Sequence, residues 1–458
     1  MLQVDVVILA AGMGKRMRSS LPKVLHPLAG KPILSHVLDT VRMLSPEKIC
    51  VVFGYGGEIV RQVIGNPPDL IWVEQAQQLG TGHAVKQAFP YLNNNGVTLV
   101  LFGDVPLVKS ETLKALLEKT REDNLVLLTV ELDNPTGYGR IVRDPVTNCI
   151  QAIVEEKDAT QSQKKIREIN TGIMVLPNSC LGGWLNNLSN TNIQGEYYLT
   201  DIIAMAVDAG IPIETSNPAS DWEVSGVNDK LQLSILERAH QQDIANKFME
   251  QGVMLADPAR FDVRGQLVCG NNVEIDINCI FEGNVHLGDN VRIHANCILR
   301  DVIVSDGSIV HPFSLIEDAE IGKNCRIGPY ARIRPGTKLD DAVHLGNFVE
   351  IKNSYIASES KVNHLSYIGD TEIGRRVNVG AGAITCNYDG AYKHRTIIED
   401  DVFIGSDTQL IAPVTVSRGS TIGAGSTITR DTPEDQLTLS RIRQTSIANW
   451  KRPRKDKR

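Results

Sequence analysis

Several groups of residues in this chain have types and spacings that can do chemistry. Near the N-terminus an apolar run opens into Leu9-Ala10-Ala11-Gly12-Met13-Gly14-Lys15-Arg16-Met17, with Leu21-Pro22-Lys23 just beyond. Two glycines let a backbone pass close to a phosphate, and Arg16 and Lys23 supply positive charge for a polyphosphate. The loop fits neither common phosphate motif. A Rossmann fingerprint needs a third glycine where Met17 stands, and a Walker loop needs Gly-x-x-x-x-Gly-Lys-Ser/Thr. Asp104 lies in Gly103-Asp104-Val105-Pro106, where a carboxylate reaches a hard divalent ion that also touches phosphate oxygens, or simply forms a turn. Beyond Ile333 the chain gathers Arg334, Lys352, His364, Tyr367, Asn378, Asn387 and Tyr388, groups unsuited to a mere spacer.

Two kinds of scaffold must position these groups. In the first half, strand-like runs (Val4 to Ala11, Ile49 to Phe53, Val97 to Phe102, Leu125 to Val130) alternate with helix-like stretches (Ile33 to Met43, Ser110 to Lys119). That alternation predicts a mostly parallel sheet with helices on both faces and ligands beyond the carboxyl ends of the strands. The second half counts in sixes: Ile321, Ile327, Ile333, Leu339, Leu345 and Ile351, then Ile404, Leu410, Val416, Ile422 and Ile428. Neither a period of 3.6 nor one of 2 explains a strict six; a triangular solenoid with one inward aliphatic residue per hexapeptide does. With three hexapeptides per turn, Arg334 and Lys352 stand one coil apart, because they are 18 residues apart, and stack as a phosphate-sized cationic pair. From Val253 to Leu437 there is room for roughly ten coils, the first near Val273. The phase slips between Val379 and Ile404, so a loop leaves the solenoid around Thr385 to Arg395, and loops on rigid scaffolds usually carry function. Residues 229–251, breaker-free with Leu233, Leu236, Ile244 and Phe248 near one face, predict a connecting helix closed at Gly252.

With 458 residues, 42% hydrophobic and 22% charged, the chain has ample core for two or three domains, and its net charge of −7 argues against nucleic-acid binding. The basic tail from Lys451 to Arg458 reads as a solvated end. Eight cysteines without a C-x-x-C pair read as reduced thiols. The run from Val6 to Ala11 is too short to span a bilayer, and the expectation is a cytoplasmic protein.

The first-half blocks resemble the sugar-1-phosphate nucleotidyltransferases: the glycine loop with Pro22-Lys23, Gln75 with Leu79-Gly80-Thr81-Gly82-His83-Ala84, Gly103-Asp104, Gly137-Tyr138-Gly139-Arg140, Val154-Glu155, Asn170-Thr171-Gly172 and Gly226-Val227-Asn228. Lys15 departs from the Thr usual there. The second half, through Gly346-Asn347-Phe348-Val349-Glu350-Ile351-Lys352, Asn363-His364-Leu365-Ser366-Tyr367 and Thr385-Cys386-Asn387-Tyr388-Asp389-Gly390, is similar to the left-handed β-helix half of the bifunctional N-acetylglucosamine-1-phosphate uridyltransferase/glucosamine-1-phosphate N-acetyltransferases. The resemblance implies a Rossmann-like uridyltransferase domain (residues 1–228), a linker helix (229–252) and a left-handed parallel β-helix acetyltransferase domain (253–458).

It implies roles as well. Arg16 and Lys23 would be catalytic in nucleotidyl transfer, and Asp104 and Asn228 would hold Mg²⁺. Leu9, Gly12, Gln75, Gly80, Thr81, Gly139, Glu155, Asn170 and Asn228 would bind UTP and N-acetylglucosamine 1-phosphate. Arg334, Lys352, Tyr367 and Asn378 would bind glucosamine 1-phosphate, and Ala381, Asn387, Tyr388, Ser406, Ala424 and Arg441 acetyl-CoA. Amine attack on a thioester requires a base near neutral pH, which histidine suits; His364 matches the family's base. The family implies a homotrimer with acetyl sites shared between neighbours, and an activity feeding bacterial cell-wall synthesis. The nearest rival is a single-activity nucleotidyltransferase with a structural or regulatory β-helix, against which the long solenoid and the His364 cluster speak. A non-catalytic platform subunit is a further rival, disfavoured by Arg16, Lys23, Asp104 and Asn228.

Overall fold

The computed structural model describes residues 2–54 and 56–453, in two compact units, Met1–His240 and Gln241–Arg458. Arg454 to Arg458, the end of the basic tail, lie outside the described residues.

The first unit is built on β1 (Val4–Ala10), β2 (Lys48–Phe53), β3 (Leu70–Glu74), β4 (Val97–Phe102), β5 (Leu125–Glu131), β6 (Arg140–Arg143), β7 (Ile150–Val154), β8 (Glu168–Pro177) and β9 (Ile213–Ser216). Their main order is β9-β5-β8-β4-β1-β2-β3, with β6 pairing β8 and β7. All main-path neighbours run parallel except β8, which is antiparallel to β4 and β5. Alternate side chains of β1 enter two different cores, Val6 and Ile8 on one face and Val7 and Leu9 on the other. This explains why the strand is apolar throughout rather than alternating. The helices α1 (Ile33–Arg42), α2 (Gly57–Ile64), α3 (Thr81–Ala88), α4 (Ser110–Glu118), α5 (Asn178–Asn187) and α6 (Asp201–Asp208) connect the strands. Helix α1 buries Ile33, Leu34, Val37, Leu38 and Val41, the spacing of one helical stripe. The chain steps from β1 outward through β2 to β3, then returns to lay β4 on the other side of β1. That reversal leaves a crevice beyond the carboxyl ends of β1 and β4, where Gly12 to Lys23 and Asp104 lie.

Helix α7 (Lys230–Glu250) occupies the breaker-free stretch, and the division of the chain into two units falls inside it, between His240 and Gln241. Leu236 packs in the first unit with Met17 and Ile33, while Ile244 and Phe248 pack on the solenoid core of the second. Gly252 follows at φ +95°, and Val253 N donates to Phe248 O, closing the helix in a turn that a Cβ would strain.

In the second unit short strands stack in parallel, coil upon coil. One sheet alone stacks eleven strands, from Met254–Leu255 to Leu437–Thr438, so the solenoid begins a coil before the expected start near Val273. All eleven aliphatic residues of the two hexapeptide series are buried, each contributing about 1.5–3 kcal/mol relative to exposure. Asn378–Val379 pairs directly with Phe403–Ile404, so the extra residues between them are extruded as a loop without disturbing the stack. Many corners take φ > 0, where Asn is tolerated: Asn272, Asn290, Asn278 and Asn296 do so, and their amides bond from coil to coil at 3.1–3.2 Å. One face carries alternating charge along the stack: Arg264, Glu282, Arg300 and Glu317 occupy successive register positions, and Arg332, opposite Leu315 and beside Glu350 in register, reaches back to pair with Glu317. Cys279, Cys297 and Cys325 point inward, and burial pushes their thiols up to about 11, 12 and 11. One corner departs from the Asn rule. Phe313, Tyr330 and Phe348 sit there at φ 62°, 54° and 56° on successive coils, stacked at 4.9 and 5.1 Å and about half exposed, with exposed Leu365 next at φ 50°. Bulky residues in this conformation are strained unless something else holds them. No helix among the described residues is long and apolar enough to cross a membrane.

Candidate functional sites

In the first unit the glycine loop folds back on Lys23. Gly14 takes φ +58°, and a Cβ there would lie 2.7 Å from Lys23 Cβ, so glycine is required both by conformation and by space. Lys23, mostly buried, forms an ion pair with Asp104 and donates to Asn228 Oδ1 at 3.3 Å. Asn228 is brought there by the backbone, since Val227 N donates to Asp104 O at 2.8 Å. Two hard oxygen donors from sequence positions 124 residues apart thus converge on a single positive charge. Among the described residues no group of three or more His, Cys, Asp or Glu could hold a metal ion. The carboxylate of Asp104 and the amide oxygen of Asn228 are hard oxygen donors of the kind that suit a divalent ion sharing its shell with phosphate and water.

Beside this cluster opens a cleft of about 270 Å³, lined by Leu9, Gly12, Lys23, Gln75, Gly80, Thr81 and Asp104 of the expected residues, and by Ala10, Ala11, Val24, Gln78, Ala84, Phe102 and Glu196, which sequence reasoning did not single out. Gly80, at φ +108°, lies so close to Tyr197 that a Cβ would sit 2.6 Å from its carbonyl oxygen. Gly139, Glu155 and Asn170 form a second cluster. Asn170 N donates to Gly139 O at 2.9 Å, and a Cβ on Gly139 would stand 3.5 Å from both Glu155 carboxylate oxygens. Thr200 Oγ1 donates to Glu155 at 3.1 Å. Burial, with the charges of Asp158, Asp201 and Glu196, pushes the Glu155 carboxyl up despite that bond. Arg16 stays on the exposed side of the loop.

In the second unit the predicted residues fall on two columns. Arg334 N donates to Ile351 O and Asp370 N to Lys352 O, so Arg334 and Lys352 occupy adjacent coils as their spacing requires. Arg334 Nη1 donates to Glu350 Oε1 at 2.8 Å, which raises the arginine further above its ordinary value and steadies its direction. Tyr367 stands next to Glu350 in register. Lys393, from the extruded loop, comes against Lys352, whose contact and charge hold Lys393 below the usual lysine value. Arg334, Lys352 and Lys393 thus gather on this side of the solenoid, with Glu350 on Arg334 and the charge of Asp370 acting on Lys393. Lys393 belongs to the loop that the break in period marks, but no spacing in the sequence sets it beside Lys352.

The other column is a corner. Leu365 N donates to Asn347 O, Gly382 N to His364 O, Asp407 N to Ala381 O and Gly425 N to Ser406 O, so Asn347, His364, Ala381, Ser406 and Ala424 stack coil on coil. Arg441 Nη1 donates to Ala424 O at 2.8 Å, capping the column. His364 Nδ1 lies 3.1 Å from Asn347 Oδ1. With the amide oxygen turned to the ring, the tautomer that carries its proton on Nδ1 donates to it and leaves Nε2 as the acceptor. Asn378 lies in the same sheet as His364, on the next strand. Asn387 is buried and donates to Asp370, while Tyr388 is exposed and bonds Gly390 O. Asp389 accepts from His394, Tyr392 and Ala391, which holds its carboxyl well below the ordinary range and braces the loop.

Comparison with known proteins shows the family. Residues 6–167 match the MobA-like NTP transferase domain, residues 263–346 the GMPPB C-terminal domain, and residues 395–430 the bacterial transferase hexapeptide (six repeats). Over 457 residues, spanning 100% of both chains, the sequence is 88% identical to "Bifunctional protein GlmU" of Nitrosomonas europaea, and 80% identical to that of Nitrosomonas eutropha. The protein of that name from Nitrosospira multiformis is 65% identical over 99% of this chain and 98% of its own. With transferase and hexapeptide units in the same order and matched end to end, the chain belongs to the GlmU family of bifunctional proteins.

Proposed function

We propose that the second unit acetylates glucosamine 1-phosphate from acetyl-CoA, and that the first transfers UMP from UTP to the resulting N-acetylglucosamine 1-phosphate, forming UDP-N-acetylglucosamine and pyrophosphate. The observation that carries this reading is the convergence of Lys23, Asp104 and Asn228 at the mouth of a cleft lined by Gln75, Gly80 and Thr81. Nucleotidyltransferases of this family use a divalent metal, and we take it to be Mg²⁺, held by Asp104 and Asn228. The ion supplies charge neutralisation to the phosphates. Lys23 and Arg16 would neutralise the triphosphate from the loop, leaving Asp104 and Asn228 to hold the ion. Gly12 and Leu9 shape the loop around it, Gln75, Gly80 and Thr81 hold uracil, and Gly139, Glu155 and Asn170 hold the sugar. A sugar-phosphate oxygen then attacks the α-phosphorus in line; that P–O bond forms as the bond to the β-phosphate oxygen breaks. Positioning and charge account for the catalysis without a covalent intermediate.

In the second unit Arg334 and Lys352, joined by Lys393, bind the sugar phosphate, with Tyr367 and Asn378 orienting the ring. His364 Nε2 takes the proton of the amine, the nitrogen attacks the thioester carbonyl, and the C–S bond breaks to release the CoA thiolate. Ala381, Ser406, Ala424 and Arg441, with Asn387 and Tyr388, line the acetyl-CoA path. The small residues of that column leave room for a ligand against the backbone. We further propose a cytoplasmic homotrimer in which neighbouring copies cover the Phe313–Tyr330–Phe348–Leu365 ridge and complete one another's acetyl sites. The protein is incubated with glucosamine 1-phosphate, acetyl-CoA, UTP and Mg²⁺, and its products are weighed by mass spectrometry. UDP-N-acetylglucosamine supports both halves; acetylated sugar phosphate alone removes the uridyltransferase, and no acetylated sugar removes the acetyltransferase.

A further inference from the structure

His83, on α3, has no role in the chemistry above, yet it touches the residue that meets the base. Gln75 Nε2 donates to Gly80 O at 3.1 Å and lies 3.0 Å from His83 Nδ1. On the far side of the ring, the Gln87 amide approaches His83 Nε2 at 3.2 Å. These contacts determine one another. A carbonyl oxygen only accepts, so the Gln75 atom against Gly80 O is the NH₂ group, and the orientation of Gln75 follows. Its remaining N–H then requires an acceptor at His83 Nδ1, which places the ring proton on Nε2. Gln87 is placed with its Nε2 towards that nitrogen, and a half-turn of the amide, whose two ends have the same shape, brings Oε1 to the proton. Burial, then the charge of Lys86, holds His83 below the ordinary histidine value, which favours the neutral ring this chain of bonds needs. Gln75 itself is only 3% exposed and lines the cleft, and its Oε1 has no partner among the described residues.

We infer that His83 is a positioning residue for base selection: with Gln87 behind it, it turns the NH₂ of Gln75 away from the cleft, so that the nucleotide meets an acceptor. A base with a ring N–H between two carbonyls, uracil or thymine, donates to that oxygen. Cytosine presents a bare ring nitrogen at the same position and meets lone-pair repulsion. The inference rests on the uridyltransferase reading and deepens it: discrimination between UTP and CTP is stored in a side chain that never touches the nucleotide.

The test measures kcat/KM for UTP and for CTP in the full-length protein and three variants. His83→Phe keeps a ring but removes the acceptor; its UTP:CTP ratio is expected to fall roughly tenfold or more, mainly through a higher KM for UTP. His83→Asn returns an oxygen to about the Nδ1 position and is expected to keep the ratio within about threefold of wild type. Gln87→Leu, on the half-exposed side of α3, frees the tautomer and is expected to lower the ratio by roughly threefold; it carries the test if His83→Phe does not fold, as judged by its acetyl transfer and thermal midpoint. An unchanged ratio in His83→Phe, or an equal loss of turnover in His83→Phe and His83→Asn at unchanged ratio, overturns the inference. Wild-type transfer without preference for UTP overturns it while leaving the transferase reading intact, whereas no transfer from either nucleotide overturns both.

Discussion

The two units solve the problem of holding a phosphorylated sugar in opposite ways. In the first, reversal of strand order at β1 creates a concavity in the fold itself, and the cleft, the Lys23–Asp104–Asn228 cluster and the Gln75 amide proposed to meet the base all belong to one unit. In the second, straight stacked coils make flat faces and ridges. Its candidate residues stand on half-exposed columns, and the His364 corner continues into an exposed aromatic ridge. A doubly wound sheet makes its own pocket, whereas a solenoid presents periodic columns that, in the proposed homotrimer, a neighbouring copy encloses. Residues that share a role are accordingly scattered in the sequence of the first unit and spaced by whole coils in the second.

The sharpest break of that comparison is Asp104→Ala, expected to lower UTP-dependent pyrophosphate release roughly a thousandfold while acetyl transfer stays within about twofold. Loss of both activities would mean the units do not function independently. His364→Ala is the mirror experiment, with acetyl transfer down roughly a hundredfold and uridyl transfer unchanged. Tyr330→Asp tests the need for a neighbour: sedimentation should show dissociation, and acetyl transfer at dilute protein should fall about tenfold with uridyl transfer retained. A monomeric variant with full acetyl transfer would return the solenoid site to a single chain. Glu350→Gln, which weakens the brace on Arg334, should raise KM for glucosamine 1-phosphate by about threefold with kcat little changed.

The smallest effect concerns pH. Glu155 has its carboxyl pushed up by burial in the folded state, so the folded protein binds its proton more tightly than the unfolded chain. That contribution to stability is complete below the ordinary glutamate range and is lost as pH rises through the elevated value. Glu155→Gln should therefore melt slightly higher than wild type at neutral pH, with the difference vanishing in acid, while sugar binding weakens. A variant less stable at every pH would assign Glu155 a structural bond that the amide cannot replace.

Much of this was legible before any coordinates. The period of six specified the buried aliphatic residues one by one, because a solenoid repeats the same local environment each turn, and it also specified that Arg334 and Lys352 would be coil neighbours. The alternation of strands and helices specified a parallel sheet and the loop after β1 as the place for a ligand. What no periodicity encodes is contact between distant segments. Only the folded chain brings Asn228 to Asp104 through the bond from Val227, seats the Lys23 ammonium between them, and sets Lys393 beside Lys352. The orientation of Gln75 is likewise tertiary, for it depends on one carbonyl and one imidazole meeting the same amide. Burial patterns are local averages, which composition and spacing determine; the direction of a hydrogen bond and the neighbourhood of a charge arise only when separate segments are packed together.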